Sequence, residues 1–241
     1  MVIRGETLVY DGPGGPFQGY VCWDEGRRGP RPGVIVAHAF GGESQFERDK
    51  ARALAELGYV GFAIDNYGQG RRAESPDVAK MLMDELDADR PLLARRMHNS
   101  LQTLKALPQV DPDRTAAIGF CFGGKCVLDL ARIGAEIRGI VSFHGLYDPP
   151  PGAVRSQITP SLLILHGWED PLAPPPSVLQ LAEELTEGDA DWQLLAFGQT
   201  GHSFSNPKAQ NTQQGLFHSP SSDRRSWAAM QRFLSEIFED G

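Results

Sequence analysis

The chain has 241 residues, 41% hydrophobic and 22% charged, a composition that excludes a wholly disordered chain and a coiled coil. Lys and Arg number 23 against 31 Asp and Glu, so the formal net charge is −8 and no electrostatic footprint for nucleic acid or an anionic membrane surface is present. No stretch is apolar for long enough to span a bilayer, MVIRGETLVYDG lacks the apolar core of a secretory signal, and the 3 cysteines read as reduced thiols of a cytoplasmic protein.

In chain order, TLVY (7–10) and FQGYVCW (17–23) flank the turn DGPGG (11–15) and predict an N-terminal antiparallel hairpin. PGVIVAH (32–38) is a short apolar, β-branched run of the kind buried on both faces of a sheet. FERDKARALAELG (46–58) has apolar residues at helical spacing and stops on Gly58. YVGFAID (59–65) is the next buried strand. A helix start at Ser75-Pro76 follows, then a helical stripe through Leu93, Met97, Leu101 and Leu104. TAAIGF (115–120), RGIVSF (138–143), SLLILH (161–166) and DWQLLAF (191–197) are further strands, with helices at 125–134, 177–187 and 224–238. The last of these places Trp227, Met230, Phe233, Leu234 and Phe238 on one face. This alternation predicts an α/β fold with a mostly parallel central sheet and helices on both faces. The Pro-rich loops at 148–152 and 173–176 are too short to divide it, so residues 1–241 are expected to form one domain.

The most informative stretch is IGFCFGG (118–124), which holds a G-x-S-x-G pattern with Cys121 in place of Ser. Such a sharp strand-to-helix turn lifts its central side chain above the sheet, and glycines at the outer positions remove Cβ atoms that would collide. The following helix N-terminus favours a thiolate at Cys121. The plain alternative is a buried cysteine acting as a small hydrophobe beside a Gly-rich turn.

A nucleophilic thiol needs a base, and the base needs an orienting acid. Asp170 follows strand 161–166 in HGWEDP, and His202 follows strand 191–197 in GQTGHSFSNP. That is the order nucleophile, acid, base expected of strand-end loops on this kind of sheet. Asp170 is otherwise a turn former ahead of Pro171, and His202 a surface loop residue. For the oxyanion, the amide after the nucleophile, Phe122 N–H, is one donor, and HAFGG (38–42) is the expected source of the second, at Phe40.

With these residues in hand, the sequence resembles the dienelactone hydrolase family of the α/β-hydrolases along nearly its whole length, through VIVAHAFGG, LAELGYVGFAIDNYG, VDPDRTAAIGFCFGG, LHGWEDPLAPP, GHSFSNP and RSWAAMQRFL. The resemblance implies the α/β-hydrolase fold, a Cys121–His202–Asp170 triad with Phe40 and Phe122 as oxyanion donors, and hydrolysis of an ester or lactone through a thioester, in the manner of a carboxymethylenebutenolidase. Two departures stand out. The family commonly carries a Glu that engages the resting thiol where this chain has Ala39, with Glu43 nearby in sequence. The dienelactone-cleaving members carry an Arg that clamps the substrate carboxylate where this chain has Asn206. The implied substrate is therefore a small ester or lactone other than dienelactone itself.

Arg71 and Arg72 are a second source of positive charge or a solvated surface pair. His38, Ala39, Arg71, His144, Tyr147 and Asn206 are candidate pocket residues, with local hydrogen bonding the alternative for His38, whereas His166 and His98 read as structural and surface histidines. Cys22 and Cys126 read as packing, Gly124 and Gly145 as points of close backbone approach, and Cys121 with Cys126 is a poor zinc spacing. No metal and no cofactor is expected, because acyl transfer by a triad needs none. The expected state is a monomer or small homo-oligomer. Two other classes stay open: a non-catalytic small-molecule-binding protein on a hydrolase scaffold, and a thiol redox protein pairing Cys121 with Cys126.

Overall fold

The computed structural model describes residues 1–152 and 157–239. The chain divides into two compact units, Met1–Ile118 and Gly119–Gly241.

The first unit opens with strands β1 (Ile3–Gly12) and β2 (Gly15–Asp24), paired antiparallel from Ile3 opposite Asp24 to Gly12 opposite Gly15. Both strands outrun the predicted segments. Alternating hydrophobicity marks only a face that is covered, whereas the backbone ladder continues through the exposed and half-buried residues of β1. Strand β3 (Arg31–Ala37) runs parallel to β4 (Val60–Ala63), and β4 runs antiparallel to β2, giving the order β1-β2-β4-β3 within this unit. Val34, Ile35, Val36 and Phe62 are completely buried, which explains the unbroken apolar runs at these strands.

Helix α1 (Gln45–Glu56) connects β3 to β4 and begins with a reciprocal cap. The Ser44 hydroxyl oxygen accepts the Phe46 N–H at 3.2 Å, and the Glu47 carboxylate accepts the Ser44 N–H at 3.0 Å. The helix ends where Gly58 takes a φ of +99°. Helices α2 (Pro76–Asp87) and α3 (Arg90–Lys105) follow, the first capped by Ser75 ahead of Pro76 as the sequence predicts. Leu93, Met97, Leu101 and Leu104 of α3 are fully buried. Strand β5 (Val110–Phe120) ends two residues into the second unit.

The second unit contains α4 (Phe122–Arg132), β6 (Gly139–Phe143), β7 (Ser161–Gly167), α5 (Pro175–Glu187), β8 (Trp192–Phe197) and α6 (Pro220–Glu239). Strands β6, β7 and β8 are parallel neighbours in that order. Helix α4 packs on β6, and α6 packs on β6 and β7 with Met230, Phe233, Leu234 and Phe238 buried. Helix α4 starts three residues earlier than predicted, directly after Cys121.

A short ribbon between β8 and α6 has no counterpart among the predicted elements. Strands β9 (Gln210–Asn211) and β10 (Leu216–Phe217) pair antiparallel across a 3-10 turn, Thr212–Gln214. Two-residue strands are too short to leave a periodic signal. Among the described residues, no helix is long and apolar enough to cross a membrane, and no group of three or more His, Cys, Asp or Glu side chains is arranged to hold a metal ion.

Candidate active site

Cys121 occupies the bend between β5 and α4 with φ 55° and ψ −117°, a conformation that costs a non-glycine residue about 1–3 kcal/mol. The bend is held on both sides. Cys121 N–H donates to Phe143 O at 3.1 Å, and Gly124 N–H donates to Cys121 O at 2.9 Å. It also depends on glycine: a Cβ at Gly119 would lie 2.0 Å from the Gly123 carbonyl oxygen. A Cβ at Gly124 would lie 2.6 Å from the Gly145 Cα, so α4 and the residues after β6 touch backbone to backbone, as the sequence suggests.

Asp170 lies in the loop after β7, and its side chain is wholly buried. Its Oδ1 accepts the Leu172 N–H at 2.8 Å and the Ala173 N–H at 3.3 Å, which leaves Oδ2 to pair with His202 Nδ1 at 2.7 Å. His202 is 2% exposed, and the unpredicted ribbon holds its backbone. Its N–H donates to Gly215 O at 2.7 Å, and its carbonyl accepts the Phe217 N–H at 3.1 Å. Burial by itself disfavours the imidazolium. The negative charge of Cys121 and the hydrogen bond to Asp170 outweigh it and raise the His202 pKa to about 10. His202 therefore interacts with both Cys121 and Asp170, residues far from it in sequence.

Further histidines surround this group. His144, directly after β6, has φ +36° and is 2% exposed. Its Nε2 lies 2.8 Å from Ser205 Oγ, and its ring stands edge-on to that of His202 at a centroid distance of 5.0 Å. Burial raises the Tyr147 pKa, and the charge of Asp170 adds to the shift, so its hydroxyl is a donor. It lies 3.1 Å from His166 Nδ1. Burial lowers the pKa of His166, against the pull of Asp170 and aided by His202, so that ring is neutral. Cys22, Cys121 and Cys126 are buried thiols outside any disulfide, so Cys121 and Cys126 are not bonded to each other.

The dienelactone hydrolase family model matches residues 17–238. The chain belongs to the dienelactone hydrolase family. A solved structure, m3DLH, is 36% identical and superposes with a TM-score of 0.94, covering 99% of this chain and 100% of its own. A dienelactone hydrolase-like promiscuous phosphotriesterase, P91, from metagenomic libraries is 35% identical with a TM-score of 0.94 and the same coverage of both chains. A Yersinia pestis relative whose name places it among the carboxymethylenebutenolidases is 24% identical over 212 residues, 83% of this chain and 78% of its own. The family places the chain among the α/β-hydrolases, with the mostly parallel sheet and antiparallel N-terminal hairpin that the sequence predicts.

The remaining predicted residues of this dienelactone hydrolase family member divide between the two units. Phe122 opens α4, so its N–H belongs to the first turn of that helix. Phe40 lies in the first unit after β3, 39% exposed, with its carbonyl accepting the Tyr67 hydroxyl at 2.6 Å. His38 is wholly buried, and burial lowers its pKa to about 4. Its Nε2 accepts the Asn66 N–H at 3.0 Å, so Nδ1 carries the proton and donates to Ala39 O at 2.6 Å. Both nitrogens are thus committed to the backbone.

Ala39 N–H donates to Glu47 Oε1 at 3.2 Å. Glu43, near Ala39 in sequence, is paired with arginines. Arg48 Nε donates at 2.6 Å and Arg72 Nη2 at 2.7 Å. Arg71 is likewise engaged, with Glu85 at 2.9 Å and Tyr67 O at 2.7 Å. Asn206 Oδ1 accepts the Lys208 N–H at 3.0 Å and shapes the turn after His202. His98 is exposed on α3. Sequence reasoning missed Ser205, because a serine three residues past a histidine carries no signal of its own.

Proposed function

We propose that this chain hydrolyses small carboxylic esters or lactones through a Cys121 nucleophile, with His202 as proton carrier and Asp170 as the group that orients it. The observation that carries the reading is the buried 2.7 Å bond between His202 Nδ1 and Asp170 Oδ2, with the thiol of a strained strand-to-helix bend beside the same imidazole. Relatives named for carboxymethylenebutenolidase and lactonase activity support the substrate class.

The raised pKa of His202 favours an imidazolium beside the sulfur, which makes His202 the acceptor for the proton of Cys121. The sulfur attacks the acyl carbon, and the carbonyl electron pair moves onto oxygen near the Phe122 N–H, which donates to it. Assignment of a second donor to Phe40 rests on the sequence. As the oxyanion collapses, the C–O bond breaks and His202 protonates the departing alkoxide. Water then gives a proton to the neutral imidazole and attacks the thioester. Collapse of that second oxyanion releases the acid and returns the thiolate and imidazolium.

The departures at Ala39 and Asn206 narrow the substrate. Asn206 is neutral, and Arg71 is paired with Glu85, so a substrate carboxylate has no clamp at either position. Dienelactone is accordingly not the proposed substrate. The phosphotriesterase activity for which P91 is named adds a phosphotriester to the compounds worth assaying. The test is a panel of neutral esters, lactones and one aryl phosphotriester on wild type and Cys121→Ala. Turnover of esters or lactones that vanishes in Cys121→Ala supports the proposal. Ester turnover surviving in that variant, or a panel on which wild type is inert, contradicts it.

A further inference from the structure

We infer that His144 is a positioning residue for His202, holding that imidazole in the orientation that presents Nε2 to Cys121; the inference rests on the functional reading above. Asp170 fixes one point of the His202 ring, Nδ1, at 2.7 Å. A single hydrogen bond leaves the ring free to tilt about that contact. The second constraint is the His144 ring, edge-on at 5.0 Å with an interplanar angle of 66°.

His144 is itself held by several contacts. Its Nε2 is fixed by Ser205 Oγ at 2.8 Å, its ring meets Phe204 edge-on at 5.0 Å, and Phe120 lies 6.1 Å away. Its backbone has φ +36°, an unfavourable value for a non-glycine residue, and its N–H is tied to Leu165 O at 2.8 Å. Strain kept at a buried side chain against the proton carrier indicates that the surroundings enforce this orientation. Ser205 is three residues beyond His202, so the loop that carries the imidazole also carries the hydroxyl that aims the wall against it. The ionisable groups interacting with His202 besides the His144 ring are Asp170, Cys121 and the neutral His166.

A side chain acting only through His202 has no effect once His202 is gone, which separates positioning from plain structural support. The experiment measures kcat and KM for 4-nitrophenyl acetate, and the rate of Cys121 alkylation by iodoacetamide, in wild type, His144→Ala, His144→Phe, Ser205→Ala and His202→Ala. It adds the double variants that combine His202→Ala with His144→Ala or Ser205→Ala. Misaiming the imidazole by about 1 Å is expected to lower kcat in His144→Ala roughly a hundred-fold with KM unchanged. His144→Phe, which keeps an aromatic edge, restores most of it, and Ser205→Ala gives a smaller fall. Neither His144→Ala nor Ser205→Ala lowers activity or alkylation further in the His202→Ala background. Wild-type kcat in His144→Ala, or the same fractional loss with and without His202, overturns the inference. If His144→Ala does not fold, Ser205→Ala carries the same comparison. A His202→Ala variant as active as wild type instead refutes the functional reading on which this rests.

Discussion

Replacing Gly119 by alanine probes the bend that presents Cys121. A methyl group there would meet Gly123 O at 2.0 Å, Gly123 C at 2.3 Å and Gly124 N at 2.8 Å. All three are backbone atoms of the first turn of α4, so no rotamer change relieves them. Bringing the closest contact out to about 3.0 Å requires about 1 Å of backbone movement, and Cys121 is the hinge that must absorb it. Overpacking of this kind costs about 1–3 kcal/mol, which for a chain of this size lowers Tm by roughly 2–12 °C. A reacting atom displaced by about 1 Å loses about a hundred-fold in kcat, equivalent to about 2.7 kcal/mol of barrier. Steady-state kinetics on 4-nitrophenyl acetate and a thermal melt read both effects. Gly198→Ala is the control, since a Cβ there meets nothing within 4 Å, and it should keep wild-type kcat and Tm. A Gly119→Ala enzyme with wild-type kcat would show that the bend does not set the position of the nucleophile.

Three other outcomes are expected. Asp170→Asn keeps an oxygen for the Leu172 and Ala173 N–H groups but loses the charge facing His202, so kcat should fall about 10³–10⁴-fold while Tm changes little; a loss under ten-fold would contradict the orienting role. The His202 pKa is raised above 6.5, so its imidazolium is complete below that pH and is lost only as pH climbs through about 10. That imidazolium favours a thiolate at Cys121, so iodoacetamide should alkylate Cys121 faster at about pH 6–7 in wild type than in His202→Ala, whose rate should fall about ten-fold per pH unit below about 8.5; parallel profiles in the two proteins would refute the ion pair. Methyl esters should be hydrolysed faster than the matching free acids, because Arg71 is occupied by Glu85 and Asn206 is neutral; competition between the two that favours the acid would refute this.

The order of strands and helices was legible because their buried faces dictate it: Val34 to Ala37 and Leu162 to Leu165 are runs that only a covered sheet explains. The bend at Cys121 was legible from its glycines, since each close approach excludes a side chain. His202 and Asp170 were legible from their places after β8 and β7, but the bond between them is a property of the folded chain. What escaped was polar and short. The ribbon at 210–217 that holds the His202 backbone carries almost no buried side chain, so no hydrophobic pattern records it. Glu43 and Arg72 gave no sign of their mutual pairing, since residues 29 positions apart share no local signal. His38, read either as a local hydrogen-bonder or as a residue shaping the site, is a buried ring joining Asn66 N–H to Ala39 O, a bond pattern that only the folded loop displays.

On the proposed mechanism a covalent acyl group passes through the sulfur of Cys121. Intact-mass spectrometry on enzyme quenched in acid within the first turnovers of a slow activated ester, followed by peptide mapping, tests it directly. One acyl group per chain, confined to the peptide bearing Cys121 and absent from Cys121→Ala, is the expected result. Label on any other residue, or undiminished turnover in Cys121→Ala, would contradict it.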